Sequence, residues 1–303
     1  MVQNDDLYFA NEAQAKRFVR LNILKNVVVY FLLALGALFT LIPFYWMIAT
    51  SLKSVEELTR IPAILFPGSP FENGILNYTL VFEKQGVSAE GLYSLLDCVG
   101  NTLIVGVLTT LATVTTTVLS AFAFSRLEFK GRETLFSILL ATMMIPGEMM
   151  IITNFETVSN LDWLNTYQAL IIPFSASVFY TFFLRQTFLQ IPDELYYAAK
   201  VDGKSDFGYL FKVMIPIARP TIISITILSM IGSWNAYIWP RTVSDNLKLV
   251  TDGIMSLFSS DTGGETSHVI MAAATVVALP LLIAFICFKK YIMRGVGRSG
   301  IKG

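Results

Sequence analysis

A chain of 303 residues in which 54% are hydrophobic and 15% charged is not a soluble globular domain, where roughly a quarter of residues carry charge. Its mean hydropathy of +0.61 points instead to a polytopic membrane protein. The formal net charge of zero leaves partners to be read from where the charges fall.

The opening MVQNDDLYFANEAQAKRFVRLNILKN is too polar for a cleavable signal peptide. Residues 1–26 are therefore expected as a polar N-terminal segment, followed by a first apolar run that stays in the chain. Six runs reach the ~20 mainly apolar residues a spanning helix needs: 27–49, 99–124, 134–155, 167–189, 213–239 and 268–288. Four of them contain proline (Pro43, Pro146, Pro173, and Pro216 with Pro220), which bundled membrane helices tolerate because neighbours satisfy the freed backbone groups. The fold class read from this pattern is an all-α membrane protein with six transmembrane helices.

Within these runs, the hydroxyl-rich stretch from Thr109 to Phe122 reads first as close helix packing, with about 1 kcal/mol or less per hydrogen bond. Glu148, just after Pro146 and Gly147, is a pathway candidate because an intramembrane carboxylate is costly to bury; a structural place at a helix break is an equal alternative. Trp234, Asn235 and Tyr237, with Trp239, sit near the end of the fifth run. They could stack on and hydrogen-bond a sugar, although an interfacial aromatic belt is the commoner reason for Trp and Tyr there, and Asn235 is the member a belt does not explain. His268 has no neighbouring ligand at metal spacing, so no metal is expected. Cys98 and Cys287 lie in or beside apolar runs, far apart in sequence, and read as small buried hydrophobes.

Lysine and arginine fix the expected orientation. Lys16, Arg17, Arg20 and Lys25 precede the first run, Arg126, Lys130 and Arg132 follow the second, and Lys200, Lys204 and Lys212 follow the fourth. Lys289, Lys290, Arg294, Arg298 and Lys302 fill a tail, 289–303, whereas the alternate loops are diluted by acids. The positive-inside rule then places both termini in the cytoplasm. The loop 241–267, with Gly263-Gly264 and several acids, is long for a plain connection.

The loop 190–212 is a charged block between apolar runs. Pro192 suits a first helical turn, Asp193 and Glu194 put negative charge at its positive end, and Gly203 suits a left-handed position after its last turn. A short helix is thus predicted over Asp193 to Asp202, with Leu195, Ala198, Ala199 and Asp202 on one face. Ser205 or Asp206 can cap a second helix returning towards the membrane. From physics alone, an amphipathic helix lying on the membrane surface and a docking element stand about even.

The block closely resembles the EAA loop of permease subunits of ATP-binding cassette importers. Ala198 and Ala199 match the alanines, Asp202 and Gly203 the Asp-Gly, and Val213, Ile215 and Pro216 the apolar and proline positions, while Tyr197 stands where the family has glutamate. WNAYIWP (Trp234 to Pro240), the tail KKYIMRGVGRSGIKG and the first span with its Ser51-Leu52-Lys53 ending are similar to the carbohydrate-uptake branch, in particular to the shorter permease subunit of maltose-type transporters. The resemblance implies a type I importer permease fold over 27–288 with a cytoplasmic coupling helix, in which Glu194, Tyr197, Ala198, Ala199, Asp202 and Gly203 meet the ATPase. It also implies a homologous second permease subunit, two ATPase subunits, and an extracytoplasmic sugar-binding protein facing the loop 241–267. Membrane lipid is a partner and nucleic acid is not. ATP and magnesium are expected in the ATPase and no cofactor in this chain, which lacks a phosphate-binding Gly-rich loop. The implied setting is a bacterial or archaeal plasma membrane. The competing class, a secondary transporter driven by an ion gradient, normally shows midplane ionisable groups and paired repeats. The runs here are nearly free of charge, and no convincing repeat or enzyme-like constellation is visible.

Overall fold

The computed structural model describes residues 12–83, 86–88, 91–260 and 266–297. The chain starts with a long helix, α1 (Glu12–Ser51), a one-turn α2 (Val55–Thr59) and α3 (Pro70–Val81). A two-stranded antiparallel hairpin, β1 (Gly86–Ser88) with β2 (Gly91–Tyr93), pairs Val87 with Leu92. It is followed by α4 (Leu95–Arg126), whose start is fixed by a capping box between Ser94 and Asp97.

The third and fourth apolar runs are not straight helices. The third divides into α5 (Arg132–Thr142), a 3-10 turn at Gly147–Met150 and α6 (Ile151–Asn160), with an 88° bend across the break. The fourth divides into α7 (Tyr167–Ile171), a 3-10 turn at Ile172–Phe174 and α8 (Val178–Leu189), bent by 41°. Pro146 and Pro173 sit at these breaks, where a missing N–H and a ring clash interrupt the ladder. Beyond α8 come α9 (Asp193–Val201), α10 (Asp206–Tyr209), a π-helical turn at Leu210–Met214 and α11 (Ile215–Trp234), then α12 (Ile238–Val243), α13 (Val250–Ser260) and α14 (Ser267–Gly297). Among the described residues four continuous helices are long and apolar enough to cross a membrane, and the two bent pairs bring the number to six.

The centre of the bundle is α4, packed against α8 and α11, while α14 joins α11 and α3 to the outlying α1. None of the most apolar window of α1 is buried, so this helix offers nearly its whole surface to the surroundings. Lipid tails are as apolar as leucine, so packing and interhelical hydrogen bonds, rather than hydrophobic transfer, must hold the bundle within the membrane. The hydroxyl stretch of α4 supplies some of them. Thr113 and Thr116 donate to the carbonyls of Phe174 and Ser175, both at 2.7 Å, and so satisfy backbone acceptors freed by the break before α8. Thr110 bonds the Ser229 hydroxyl of α11 at 3.3 Å. Cys98 is buried in α4 and Cys287 is exposed on α14; both are free.

The segment after α11 is structured. Trp239 Nε1 donates to Ala169 O at 2.9 Å, and the Val250 N–H donates to Thr102 Oγ1 at 2.8 Å. The buried Asp252 carboxylate meets Arg241 at 3.2 Å and Lys248 at 3.0 Å. The sequence suggests a loop over 241–267, but α12 and α13 occupy much of it, and its Gly263-Gly264 and neighbouring residues 261–265 lie outside the described residues. The expected tail at 289–303 begins inside α14, which continues to Gly297, and residues 298–303 also lie outside the described residues.

Asp252→Ala leaves the nearly buried Lys248 with only the exposed Asp245 carboxylate, 3.5 Å away, and removing one member of a buried pair costs up to about 3 kcal/mol. The thermal midpoint of the purified protein should fall clearly. Arg241→Gln, at a side chain 45% exposed, should change it far less.

Candidate functional site

Two places in the molecule have the makings of a site: the short helix α9 at one end of α4, and a cavity along the middle of α4.

At the first, the chain turns sharply twice, and each turn has an identifiable cause. Entry into α9 is through Pro192, with Asp193 and Glu194 in the first turn. Exit is a Schellman motif: the Gly203 N–H donates to Lys200 O at 3.0 Å and the Lys204 N–H to Ala199 O at 2.9 Å, with Gly203 at φ +73°. Ser205 then caps α10 by accepting from the Gly208 N–H.

The helix is held from behind. Arg126, at the end of α4 with its side chain only 7% exposed, pairs with Asp193 and donates to Phe188 O at 3.0 Å and to Ile191 O. One guanidinium therefore ties the last turn of α8 and the first turn of α9 to α4. On the other flank the Tyr196 hydroxyl donates to Asp206 Oδ1 at 2.8 Å and Lys200 Nζ lies 2.7 Å from the same oxygen. The bond to Asp206 holds the Lys200 ammonium above the usual lysine range, and the same bond holds the Asp206 carboxyl below the usual carboxylate range, so this latch persists through neutral pH, weakening as pH rises past the first range or falls through the second. The Tyr196 ring meets Tyr209 edge-on at 5.1 Å.

The face left over is largely apolar and exposed. Leu195, Tyr197 and Val201 of α9 are 42%, 64% and 88% exposed, and Phe207 and Phe211 beside them are 61% and 60% exposed. Glu194, Ala198 and Asp202 share this exposure, whereas Ala199 is buried among Phe188, Tyr209 and Leu210. The two alanines therefore do different things: Ala198 keeps the outer surface low, and Ala199 lets α9 close on the bundle. Tyr197, at the position of the motif glutamate, adds an aromatic ring rather than a charge to the outer face.

The second place is a cavity of about 360 Å³ lined by α4, the break before α8, α11 and α12. From α11 it takes Ser229, Gly232 and Ser233, at i, i+3 and i+4 on one face of the helix, and Ala236 follows just beyond its end. Trp234 points elsewhere, buried among Val81, Cys98 and Val250. Asn235 is exposed and folds its amide back onto Ile231 O at 3.0 Å, and Tyr237 lies under the Arg241 guanidinium at 5.8 Å. Glu148 is exposed in the 3-10 turn between α5 and α6. The structure thus gathers the α9 residues into one site and leaves Glu148, Trp234, Asn235 and Tyr237 off the cavity wall, where Trp239 is the aromatic from that stretch.

Sequence reasoning took Arg126 only as a positive-inside charge and passed over Arg185. Arg185, with its side chain 9% exposed, grips both Glu133 oxygens at 2.8 and 2.9 Å, donates to Phe124 O at 2.9 Å and lies 4.1 Å from the Phe136 ring centre. The available signal was a cation inside an apolar run, which calls for a buried partner.

Residues 114–298 match the family described as the binding-protein-dependent transport system inner membrane component. The chain is 30% identical to the sn-glycerol-3-phosphate transport system permease protein UgpE of Pectobacterium atrosepticum, over 88% of this chain and 93% of that one. It is 29% identical to the arabinooligosaccharides transport system permease protein AraQ of Bacillus subtilis, over 88% and 92%. Among solved structures it resembles a chain of a bacterial ABC transporter involved in the import of the acidic polysaccharide alginate, with a TM-score of 0.78 at 23% identity, covering 90% of this chain and 98% of that one. That likeness is one of fold.

An added Cβ at Gly203 meets no atom within 4 Å, so the demand there is purely torsional. Gly203→Val should destabilise the turn by about 1–2 kcal/mol or more, and Gly203→Asn by much less. Limited proteolysis of the α9 to α10 turn in the purified variants reads the difference, and equal susceptibility of the two would remove the torsional explanation.

Proposed function

The chain belongs to the inner membrane components of binding-protein-dependent transport systems, and on that premise we propose that it is one permease half of an ATP-driven carbohydrate importer, coupled through α9 to a separate ATPase subunit. The observation that carries the coupling role is the set of exposed apolar side chains Leu195, Tyr197 and Val201 on α9, a short helix otherwise rich in charge. Large apolar side chains left exposed on a short charged helix are what a protein partner covers. Rigid anchoring supports the same reading, because a lever transmits displacement only if its attachment does not yield. Arg126 fastens the helix to α4, and α4 carries one wall of the cavity.

Glu194, Tyr197, Ala198 and Asp202 form the contact surface in this reading, while Ala199 and Gly203 shape the helix from within the chain. ATP and magnesium belong to the ATPase. A homologous second permease completes the pathway, and a sugar-binding protein meets the opposite end near α12 and α13. The basic residues around α9 support a cytoplasmic setting for that end and for both termini under the positive-inside rule. The carbohydrate assignment draws on the relative whose name describes the transport of arabinooligosaccharides, together with the WNAYIWP stretch and the C-terminal tail.

The test uses Val201→Cys and Ala198→Cys in a background lacking Cys98 and Cys287, expressed with the ATPase of the same host. Nucleotide-dependent cross-linking from both positions, together with sugar uptake that stops when ATP is depleted, is the expected result. Uptake that follows a proton or sodium gradient, with no ATPase captured, overturns the proposal.

Arg126→Ala removes two charged-donor bonds to carbonyls, worth about 1.5–3 kcal/mol each; the exposed Asp193 adds little. The variant should still bind the ATPase but move less sugar per ATP hydrolysed, a ratio measurable in proteoliposomes.

A further inference from the structure

The end of the bundle opposite α9 is closed by α3 and the loop that leads to it. Val81 of α3 is buried with Leu95, Cys98 and Val269, at the other end of α4 from Arg126. The loop after α1 does not run straight out into water but is pinned back against the last turns of that helix. The Tyr45 hydroxyl donates to Leu65 O at 2.8 Å, and its ring meets Phe66 edge-on with centroids 6.0 Å apart. Lys53 Nζ donates to Ile64 O at 2.5 Å and lies 4.6 Å from the Trp46 ring centre. The Glu57 carboxylate accepts from the Gly68 N–H at 2.7 Å, and the Asn77 amide of α3 donates to the carbonyls of Ser51 and Lys53, both at 2.9 Å.

These ties set a depth. Residues 26–52 carry no charge, and a helix of that length reaches about 40 Å, close to the ~40–45 Å of a bilayer with its headgroup regions. Lys53 therefore stands at the water boundary. Tyr45 lies six residues short of the end of α1 at Ser51, about 9 Å back along the axis, and helical side chains lean towards the N-terminus. Leu65 and Phe66, which meet Tyr45, thus sit on the membrane side of that boundary, at the level where tyrosine and tryptophan rings belong in an interface.

What the loop presents there is apolar. Between Arg60 and Glu72, both exposed, no residue is charged. Ile61, Leu65, Phe66 and Phe71 are all exposed, Ile61 by 94% and Phe71 by 87%. Pro62, Pro67 and Pro70 lack an N–H, which lowers the number of backbone donors to be satisfied where water is scarce. On α3 the exposed Phe71 and Ile75, with Phe82 just past its end, recur at i, i+4 and i+11 along one stripe, while Gly74, Asn77 and Val81 turn inward. Large apolar side chains left this exposed in one short segment are what a membrane or a protein partner covers. The helix to which the loop is pinned decides between them: α1 is a membrane span with none of its most apolar window buried, so the loop continues a surface that faces lipid.

We propose that residues 61–66 are a lipid-contacting wedge seated in the interfacial layer of the leaflet opposite α9, with Ile61, Leu65 and Phe66 among the upper acyl chains of phospholipid and Arg60 at the headgroups. An interfacial segment of this kind binds through its buried apolar area, and interfacial anchors set the tilt and depth of the span beside them. The wedge thereby holds the end of α1. It requires only that the chain spans a membrane and is independent of the cargo.

The experiment uses the complete transporter in vesicles of phosphatidylethanolamine and phosphatidylglycerol. A nitroxide is attached to Ile61→Cys, to Phe66→Cys or, as the water-facing control, to Glu56→Cys, each in the background lacking Cys98 and Cys287. Co-purification with the ATPase checks assembly. Saturation electron paramagnetic resonance then compares collisions with oxygen, which concentrates in lipid, and with a polar nickel chelate, which stays in water.

The oxygen-to-nickel collision ratio at positions 61 and 66 should exceed that at position 56 several-fold. A ratio equal to that of the control puts the loop in water and overturns the wedge. Shielding of both positions from both reagents means that a protein, the second permease or the binding protein, covers the loop, and overturns it equally. Ile61→Cys decides if Phe66→Cys, which gives up the ring contact with Tyr45, fails to assemble.

Discussion

The contact on which the rest of the molecule depends is the Arg126 guanidinium at the end of α4. The Phe188 carbonyl, which also takes the Ile191 N–H, and the Ile191 carbonyl both accept from it, and Asp193 at the start of α9 pairs with it. A helix end presents unsatisfied acceptors, and a cation placed among them is favoured by the helix dipole. Here one side chain meets that requirement for α8 and sets the direction in which α9 departs. Without it, α9 would keep its Asp206 latch and the packing of Ala199 but lose its tie to α4. With it, α9 is an extension of the central helix.

The same central helix reaches the other parts that matter. Its middle turns lend Thr113 and Thr116 to the broken start of α8 and Thr110 to α11. Near its beginning, Thr102 accepts from the Val250 N–H and so fixes the segment that carries the Asp252 ion cluster. Arg185 adds a brace on the α9 side by holding Glu133 of α5 and the Phe124 carbonyl of α4 together. A bundle in lipid gains little from burying apolar surface, so these polar ties define which helix meets which. They also make α4 common to the α9 end and to the cavity.

Breaks in the spans follow a common logic. Pro146 and Pro173 cost backbone bonds wherever they sit in a helix. At Pro173 the lost bonds are recovered from α4 hydroxyls, and the irregular turn lies against the cavity. At Pro146 the break comes with an 88° bend, and its residues, Glu148 among them, are exposed. The same residue type therefore produces a modest bend beside a packed neighbour and a sharp one where the described chain offers none.

The number and approximate extent of the spans, and the short helix with its glycine exit, were legible in the sequence. Spans show because length and apolarity are local properties that lipid reads directly. The exit shows because a left-handed residue at a helix end is a local steric demand that glycine meets, and Gly203 does take φ +73°. What the sequence could not decide was which side of each helix faces inward. Ala198 and Ala199 are adjacent and chemically identical, yet one is exposed and the other buried; Trp234 and Trp239 share one motif, and only the second lines the cavity. Arg126 and Arg185 looked like ordinary charges because their partners lie 52 to 67 residues away in the chain. Facing direction and long-range pairing depend on how helices distant in sequence pack, so they were decided by the tertiary structure.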